Sequence, residues 1–211
     1  MLKLGSLYHI YNRGNNREKL FKSKKCYQYF LRMCSRHILP VAEIQAWCLL
    51  PNHFHFLAQI RTEEEQYKFH RRGLRETEVA TQFKRLNASR GFANAFSSYA
   101  MAINRTYNRT GSLFQDRFKR KEVCHSGYQT HLINYIHFNP ANHRLVAEAK
   151  EYPWSSLSAY IECNVDPVLG CNPKQVFKSG REYVRQFHKF SKTEFYSSDK
   201  PENLIRKWEA V

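Results

Sequence analysis

The chain has no long apolar run. None approaches the ~20 residues that a membrane-spanning helix needs. The opening Met1-Leu2-Lys3-Leu4-Gly5-Ser6 also lacks the apolar stretch of a secretory signal, so neither membrane insertion nor secretion is expected. There is no Cys-x-x-Cys pair. The six cysteines (Cys26, Cys34, Cys48, Cys124, Cys163, Cys171) are scattered, and several lie in apolar-periodic segments where cysteine acts as a small hydrophobe. Reduced thiols in a cytoplasmic protein are therefore expected, rather than disulfides or a cysteine-built zinc site. Internal repeats are absent. Acidic residues are in short supply: 18 Asp and Glu stand against 34 Lys and Arg in 211 residues, a formal net charge of +16.

What is present is apolar enough to fold. Hydrophobic residues make up 42% and aromatics 15%, too much for a disordered basic tail. The length suits one domain with additions, or at most two domains. The positive charge is uneven, with 23 Lys or Arg against 9 Asp or Glu in residues 1–125, and 11 against 9 in residues 126–211. A long polyanion facing the first part of the chain is the simplest partner. Nucleic acid fits better than a membrane surface, because no basic amphipathic helix with a clean apolar face stands out. Aromatics such as Tyr8, Tyr11, Phe114 and Phe118 interleave with the basic residues, and unpaired bases stack on such side chains.

Periodicity predicts strands over 7–12, 43–50 and 53–59, with Pro51-Asn52 as a tight turn between the last two. Asn12-Arg13-Gly14-Asn15-Asn16 predicts a turn. Helices are predicted over 24–36, with Tyr27, Phe30, Leu31 and Cys34 on one stripe, and over 92–107. Residues 113–123 predict a fourth strand. A helix over 127–139 should be closed by Pro140. The order implies an α+β, ferredoxin-like four-stranded antiparallel sheet with helices on one face. Residues 1–146 then form the main domain and 147–211 a C-terminal extension with a helix at 179–190. Residues 61–92, with Glu63-Glu64-Glu65 followed by many basic residues, predict a partly helical insertion.

Pro51-Asn52-His53-Phe54-His55-Phe56-Leu57 is the most informative segment. Side chains alternate along a strand, so His53 and His55 share a face and Phe54 and Phe56 the other. Two imidazoles about 7 Å apart at Cα can converge on one divalent ion, although the same pattern also suits ordinary surface histidines. On the helix before Pro140, Tyr135 and Asn139 are four residues apart and share a face. If that face lies over the sheet, the Asn139 amide oxygen can be a third ligand with the Tyr135 phenol beside it. A core tyrosine and a helix C-cap would fit the same spacing. His131 and His137 lie off that face.

His53-Phe54-His55 resembles the HUH motif (His, hydrophobic, His) of single-tyrosine transposases, and the resemblance runs further. Tyr8-His9-Ile10-Tyr11-Asn12-Arg13-Gly14-Asn15 is similar to that family's first strand and turn. Trp47-Cys48-Leu49-Leu50-Pro51-Asn52 leads into the histidine pair as in its metal hairpin. Gly111-Ser112-Leu113-Phe114-Gln115-Asp116-Arg117-Phe118-Lys119 resembles its fourth strand. Tyr135-Ile136-His137-Phe138-Asn139-Pro140 resembles its tyrosine helix, and Tyr152-Pro153-Trp154-Ser155-Ser156 the segment after it. These ordered motifs span residues 8–160, and the branch they resemble most is the REP-associated tyrosine transposases.

The resemblance implies a metal-dependent single-stranded DNA endonuclease and strand transferase acting at or near imperfect palindromic hairpins. His53, His55 and Asn139 would hold Mg²⁺ or Mn²⁺, and Tyr135 would be the nucleophile that forms a 5′-phosphotyrosine. The covalent bond keeps the phosphodiester's energy, consistent with the lack of a Gly-x-x-x-x-Gly-Lys-Ser/Thr loop. Arg13, Arg117, Lys119, Arg120 and Lys121 are candidate phosphate contacts, with a solvated strand edge as the plain alternative. Tyr128, seven residues before Tyr135, competes for the nucleophile's role. Two other readings are a DNA-binding module without chemistry and a different HUH enzyme. Relaxases usually place the tyrosine before the histidine pair, whereas here it follows His55 by 80 residues. Replication initiators often add a helicase domain, for which there is no counterpart. A monomer is favoured over a homodimer. The sequence departs from the family pattern at Ala141-Asn142-His143-Arg144, where Val-Arg-Ala-Gly is more usual, and in the length of 61–92.

Overall fold

The computed structural model describes residues 1–71 and 83–194. Strands β2 (Ala42–Leu50) and β3 (His53–Ile60) are joined by the two-residue turn Pro51-Asn52, with Leu50 opposite His53. Strand β1 (Leu7–Arg13) pairs antiparallel with β3 and places Arg13 opposite His53 and Tyr11 opposite His55. The short strand β4 (Lys119–Glu122) pairs antiparallel with the other side of β1. The sheet order is β2-β3-β1-β4, the antiparallel ferredoxin-like arrangement that the sequence implies.

Helices α1 (Lys24–His37) and α3 (Ala88–Thr106) cover one face of the sheet. Their apolar stripes meet Tyr8, Ile10, Phe54, Phe56, Ala58 and Ile60 in one core. Phe30, Phe54 and Phe96 form its centre, with ring centroids 4.9–5.9 Å apart. Gly91 permits the approach of α3: a Cβ there would lie 2.7 Å from the His37 carbonyl oxygen and from a Val41 methyl. The helix begins at Ala88, four residues before the predicted start, because the Asn87 side chain caps it by accepting from the Arg90 N–H.

The opposite face carries α4 (Ser126–Asn142), α5 (Leu157–Glu162) and α6 (Gly180–Glu194). A β-bulge at Gln45 reverses which residues of β2 face which core. Ala42 and Ile44 point to the α1/α3 side, as do Trp47 and Leu49, while Ala46, Cys48 and Leu50 point to α4. The bulged residue is held on both ends. Gln129 donates to its side-chain oxygen and the Tyr160 hydroxyl to its carbonyl, each at 2.7 Å.

The outer edge of β2 is covered rather than left open. Leu49 N–H donates to the Trp154 carbonyl and Ser156 N–H to that of Trp47, so residues 154–156 act as a short fifth strand. Trp154 stacks on Tyr27 at 4.4 Å, which makes it a packing residue. Buried His137 locks this layer together, bridging the Tyr183 hydroxyl at 2.8 Å and Ser156 Oγ at 2.7 Å.

Two expectations are corrected. Of residues 113–123 only 119–122 form a strand, because Leu113 and Phe114 in succession both enter the α1/α3 core and Asp116 has a positive φ of 21°. Helix α4 does not stop at Pro140 but carries it in its last turn and runs to Asn142. Within 61–92, residues 63–71 form helix α2 (Glu63–Arg71) and 88–92 belong to α3. Residues 72–82 of that segment lie outside the described residues. The six cysteines are all unpaired as thiols. No helix among the described residues is long and apolar enough to cross a membrane.

Candidate active site

The β2–β3 hairpin presents His53 and His55 to α4, both buried, with ring centroids 5.3 Å apart and nearly perpendicular. Each imidazole is held through its Nδ1. His53 Nδ1 is 2.7 Å from the Asn52 side-chain oxygen, which can only accept, so His53 carries its proton there and turns an Nε2 lone pair outward. Asn52 is itself fixed, as its carbonyl accepts from Gly14 N–H and its amide reaches the Arg17 carbonyl. Gly14 is required at this corner, because a Cβ would collide with the Glu18 carbonyl. His55 Nδ1 shares a buried 2.9 Å hydrogen bond with His9 Nε2. When the proton of that bond sits on His55, its Nε2 lone pair also faces the site. This is how metal-ligating histidines are usually oriented, by a partner on the other ring nitrogen.

Helix α4 supplies the opposing wall. Tyr135, Asn139 and His143 follow one another at intervals of four, so they lie along one stripe. Tyr135 is buried and sits edge-on to His55 at 5.7 Å and to His9 at 6.4 Å. The Asn139 amide donates to the Tyr135 carbonyl at 2.9 Å. Its Oδ1 is buried with no hydrogen-bond partner, which is costly for a carbonyl acceptor. His143 caps the helix, donating its backbone N–H to the Asn139 carbonyl, and its ring stands 5.0 Å from that of His53.

The electrostatics favour neutral imidazoles. Burial, with Lys121 adding to it, brings the His9 imidazole down to about 3. His53 is also held at about 3, by burial first and then by His143 and Arg13. His55 is driven well below its usual value by burial and by its histidine neighbours. Burial raises the Tyr135 phenol above its usual value. Neutral imidazoles and an orphaned amide oxygen are a donor set for a divalent ion, so the residues present fit one. Among the described residues, however, there is no group of three or more His, Cys, Asp or Glu side chains that could hold a metal ion, so the set would need the Asn139 amide oxygen.

The sheet register separates the basic candidates. Arg13, Lys119 and Lys121 lie on the α4 face, opposite His53, Tyr11 and His9 in turn. Arg120 is opposite Ile10, on the other face. With Arg117 it lines a cleft of about 760 Å³ beside α3, so these two lie away from the histidines. Tyr128 is buried in the core under α4, and Tyr107 is on the far side of the sheet beside Cys26 at 3.4 Å. His137 lies in the α5/α6 layer. Sequence reasoning did not single out His9, Asn52 or His143 as parts of the site. Only the adjacency of Asn52 to His53 is a local signal. His9 meets His55 across 46 residues of chain.

No known protein-family profile matches the chain. A Haemophilus influenzae protein that bears the name REP-associated tyrosine transposase is 27% identical over 132 residues, covering 62% of this chain and 68% of that protein. A solved structure of a REP-associated tyrosine transposase bound to a REP hairpin superposes with a TM-score of 0.54 at 15% identity, over 80% of this chain and 87% of the other. That likeness extends to the four-stranded antiparallel α+β fold. The chain is thus similar in part of its sequence to one protein of that name and in its fold to another.

Proposed function

We propose that this protein is a transposase-like enzyme that cuts and rejoins single-stranded DNA at or beside hairpins, with Tyr135 as nucleophile. The observation that carries the reading is the edge contact of Tyr135 with His55 across the α4–sheet interface, with His53 beside His55 and the partnerless Asn139 Oδ1 one turn along the Tyr135 stripe. The similarity to a named REP-associated transposase, and to a structure holding a REP hairpin, supports hairpin DNA as the partner.

His53, His55 and Asn139 would hold the divalent ion, Mg²⁺ or Mn²⁺. When bound, that ion polarises a non-bridging phosphate oxygen and offsets transition-state charge. The Tyr135 oxygen forms a bond to phosphorus as the bond from phosphorus to the 3′-oxygen breaks. The phenol gives up its proton and the departing 3′-oxygen gains one, leaving a 5′-phosphotyrosine and a free 3′-hydroxyl. The reverse attack by a 3′-hydroxyl rejoins a strand without a nucleotide cofactor. The ring of Tyr135 between His9, His55 and the body of α4 limits its orientation, and Arg13 and Lys119 are disposed to take phosphates on the same face. Because α4 packs on its own sheet and is backed by α6, we propose that the monomer holds a complete site.

The test is a denaturing-gel assay with labelled hairpin oligonucleotides in Mn²⁺ or EDTA. A metal-dependent covalent adduct, lost in Tyr135→Phe, is expected. Hairpin binding with no adduct would leave a binding module, and an adduct persisting in Tyr135→Phe would transfer the role to Tyr128.

A further inference from the structure

We propose that the Tyr11 ring is the platform on which the unpaired base next to the scissile phosphate stacks; the proposal rests on the single-strand cleavage reading above and names a substrate contact that it leaves open. The sequence offers several aromatics among the basic residues as stacking candidates, and the structure separates them. Tyr8 and Phe114 are buried in the α1/α3 core, and Phe118 packs against it. Tyr11 lies on the other face of the sheet, opposite His55 in the register.

Exposure singles it out on that face. His9, His53, His55 and Tyr135 are buried, so a strand that brings a phosphate to them must pass over the rim of the site. Tyr11 and Arg13 are half-buried at that rim, and Lys119 is exposed. Lys119 is opposite Tyr11 on β4, and Arg13 is two residues further along β1, opposite His53. Such neighbours lie about 5 Å apart across a sheet and about 7 Å apart along a strand at Cα. A ring bracketed by cations suits a single strand: the cations take phosphates and the ring takes the base between them.

The ring is also held in one orientation. It stacks on His9 at 4.7 Å and 29°, and lies 5.8 Å from His55 with planes 26° apart. Tyr135 stands edge-on to the same two histidines. A base on Tyr11 and a phosphate at Tyr135 can therefore belong to neighbouring nucleotides. Every base has a π-face, so this contact would set the position of the strand without reading its sequence.

The experiment is fluorescence anisotropy in Mn²⁺ with labelled hairpin oligonucleotides, each unpaired nucleotide beside the stem being replaced in turn by an abasic sugar. Tyr135→Phe serves as the reference that binds without cutting, and Tyr11→Leu or Tyr11→Trp is added to it. Loss of one base–aromatic stack is expected to weaken binding roughly 5–100-fold. Tyr11→Leu should show that loss on intact DNA, and one abasic position should show it with Tyr11 present. At that position the two losses should not add, and Tyr11→Trp should bind intact DNA as tightly as the reference. Losses that add at every position would make the ring a support for His9 and His55 only and overturn the proposal, as would unchanged affinity in Tyr11→Leu. An abasic scan of the reference with no sensitive position would overturn it whatever the variants do. A reference that binds no hairpin would overturn the hairpin reading and the proposal together.

Discussion

The two faces of the sheet are built from the same four strands and serve opposite ends. Toward α1 and α3, the inward residues of β1 and β3 are almost all aromatic or aliphatic and the rings fill the interior. Toward α4, the same strands present His9, Tyr11, Arg13, His53 and His55. Buried polar atoms on that side that lack hydrogen bonds include His9 Nδ1 and Asn139 Oδ1. An unpaired buried acceptor costs about 1–3 kcal/mol, so this face gives up stability that the other supplies. Alternation along a strand is what allows one residue to serve one purpose and the next residue the other: Phe54 and Phe56 anchor the hairpin that aims His53 and His55.

The sharpest test of this division is Tyr135→Phe. It removes one oxygen from the α4 face, keeps the ring against His55, and should cut adduct formation on the order of 10³-fold or more, read as covalent DNA–protein product on a denaturing gel. The melting temperature should be nearly unchanged. A variant that melts far earlier would mean that the phenol holds the interface rather than the chemistry.

The reverse experiment belongs to the other face. Phe56 is fully buried among Phe30 and Phe54, and Phe56→Ala should cost ~3–5 kcal/mol, measured by urea denaturation. Adduct yield per folded molecule should stay within a few-fold of wild type. A collapse of activity in molecules that remain folded would show that the faces are coupled more tightly than their separate cores suggest.

His9→Gln should have an intermediate effect. His9 lies behind His55 and sets its ring through the 2.9 Å bond between them. Loss of such an orienting partner typically costs 10–100-fold in metal affinity or activity. Metal titration should therefore show weaker binding with the fold intact. Affinity equal to wild type would make the bond incidental.

These residues also mark what the sequence could convey. The histidine pair was legible because a period of two is a local property, and Tyr135 with Asn139 because a spacing of four is. The pairing of His9 with His55 was not legible, since it depends on which strand lies beside which, and the order β2-β3-β1-β4 sets that. The bulge at Gln45 was hidden because residues 42–50 are largely apolar on both sides of it, and a near-continuous apolar run conceals a change of parity. Pro140 misled for a physical reason. A proline deletes one backbone donor, which in the final turn costs only a single hydrogen bond, so α4 could continue and deliver His143 to His53. The irregular path of 113–118 follows from consecutive residues Leu113 and Phe114 both entering the α1/α3 core, whereas successive residues of a strand face opposite sides.

The smallest expected effect concerns the charges at the sheet's open edge. The sequence alone treats Arg13, Lys119, Arg120 and Lys121 alike, but the register puts Arg120 on the face of Ile10 and the other three on that of the histidines. A phosphate contact releases condensed counterions, so losing one from single-stranded DNA should flatten the slope of log affinity against log salt by ~0.7. Arg13→Ala, opposite His53, should show that loss on a single-stranded segment beside the hairpin. Arg120→Ala should leave the slope for the same segment unchanged, since its side chain lines the cleft beside α3. Fluorescence anisotropy over a salt series would read both. A slope that falls equally in the two variants would mean that the strand wraps the β4 edge and touches both faces, and the separation of a packing face from a DNA face would then hold for β1 and β3 but not for β4.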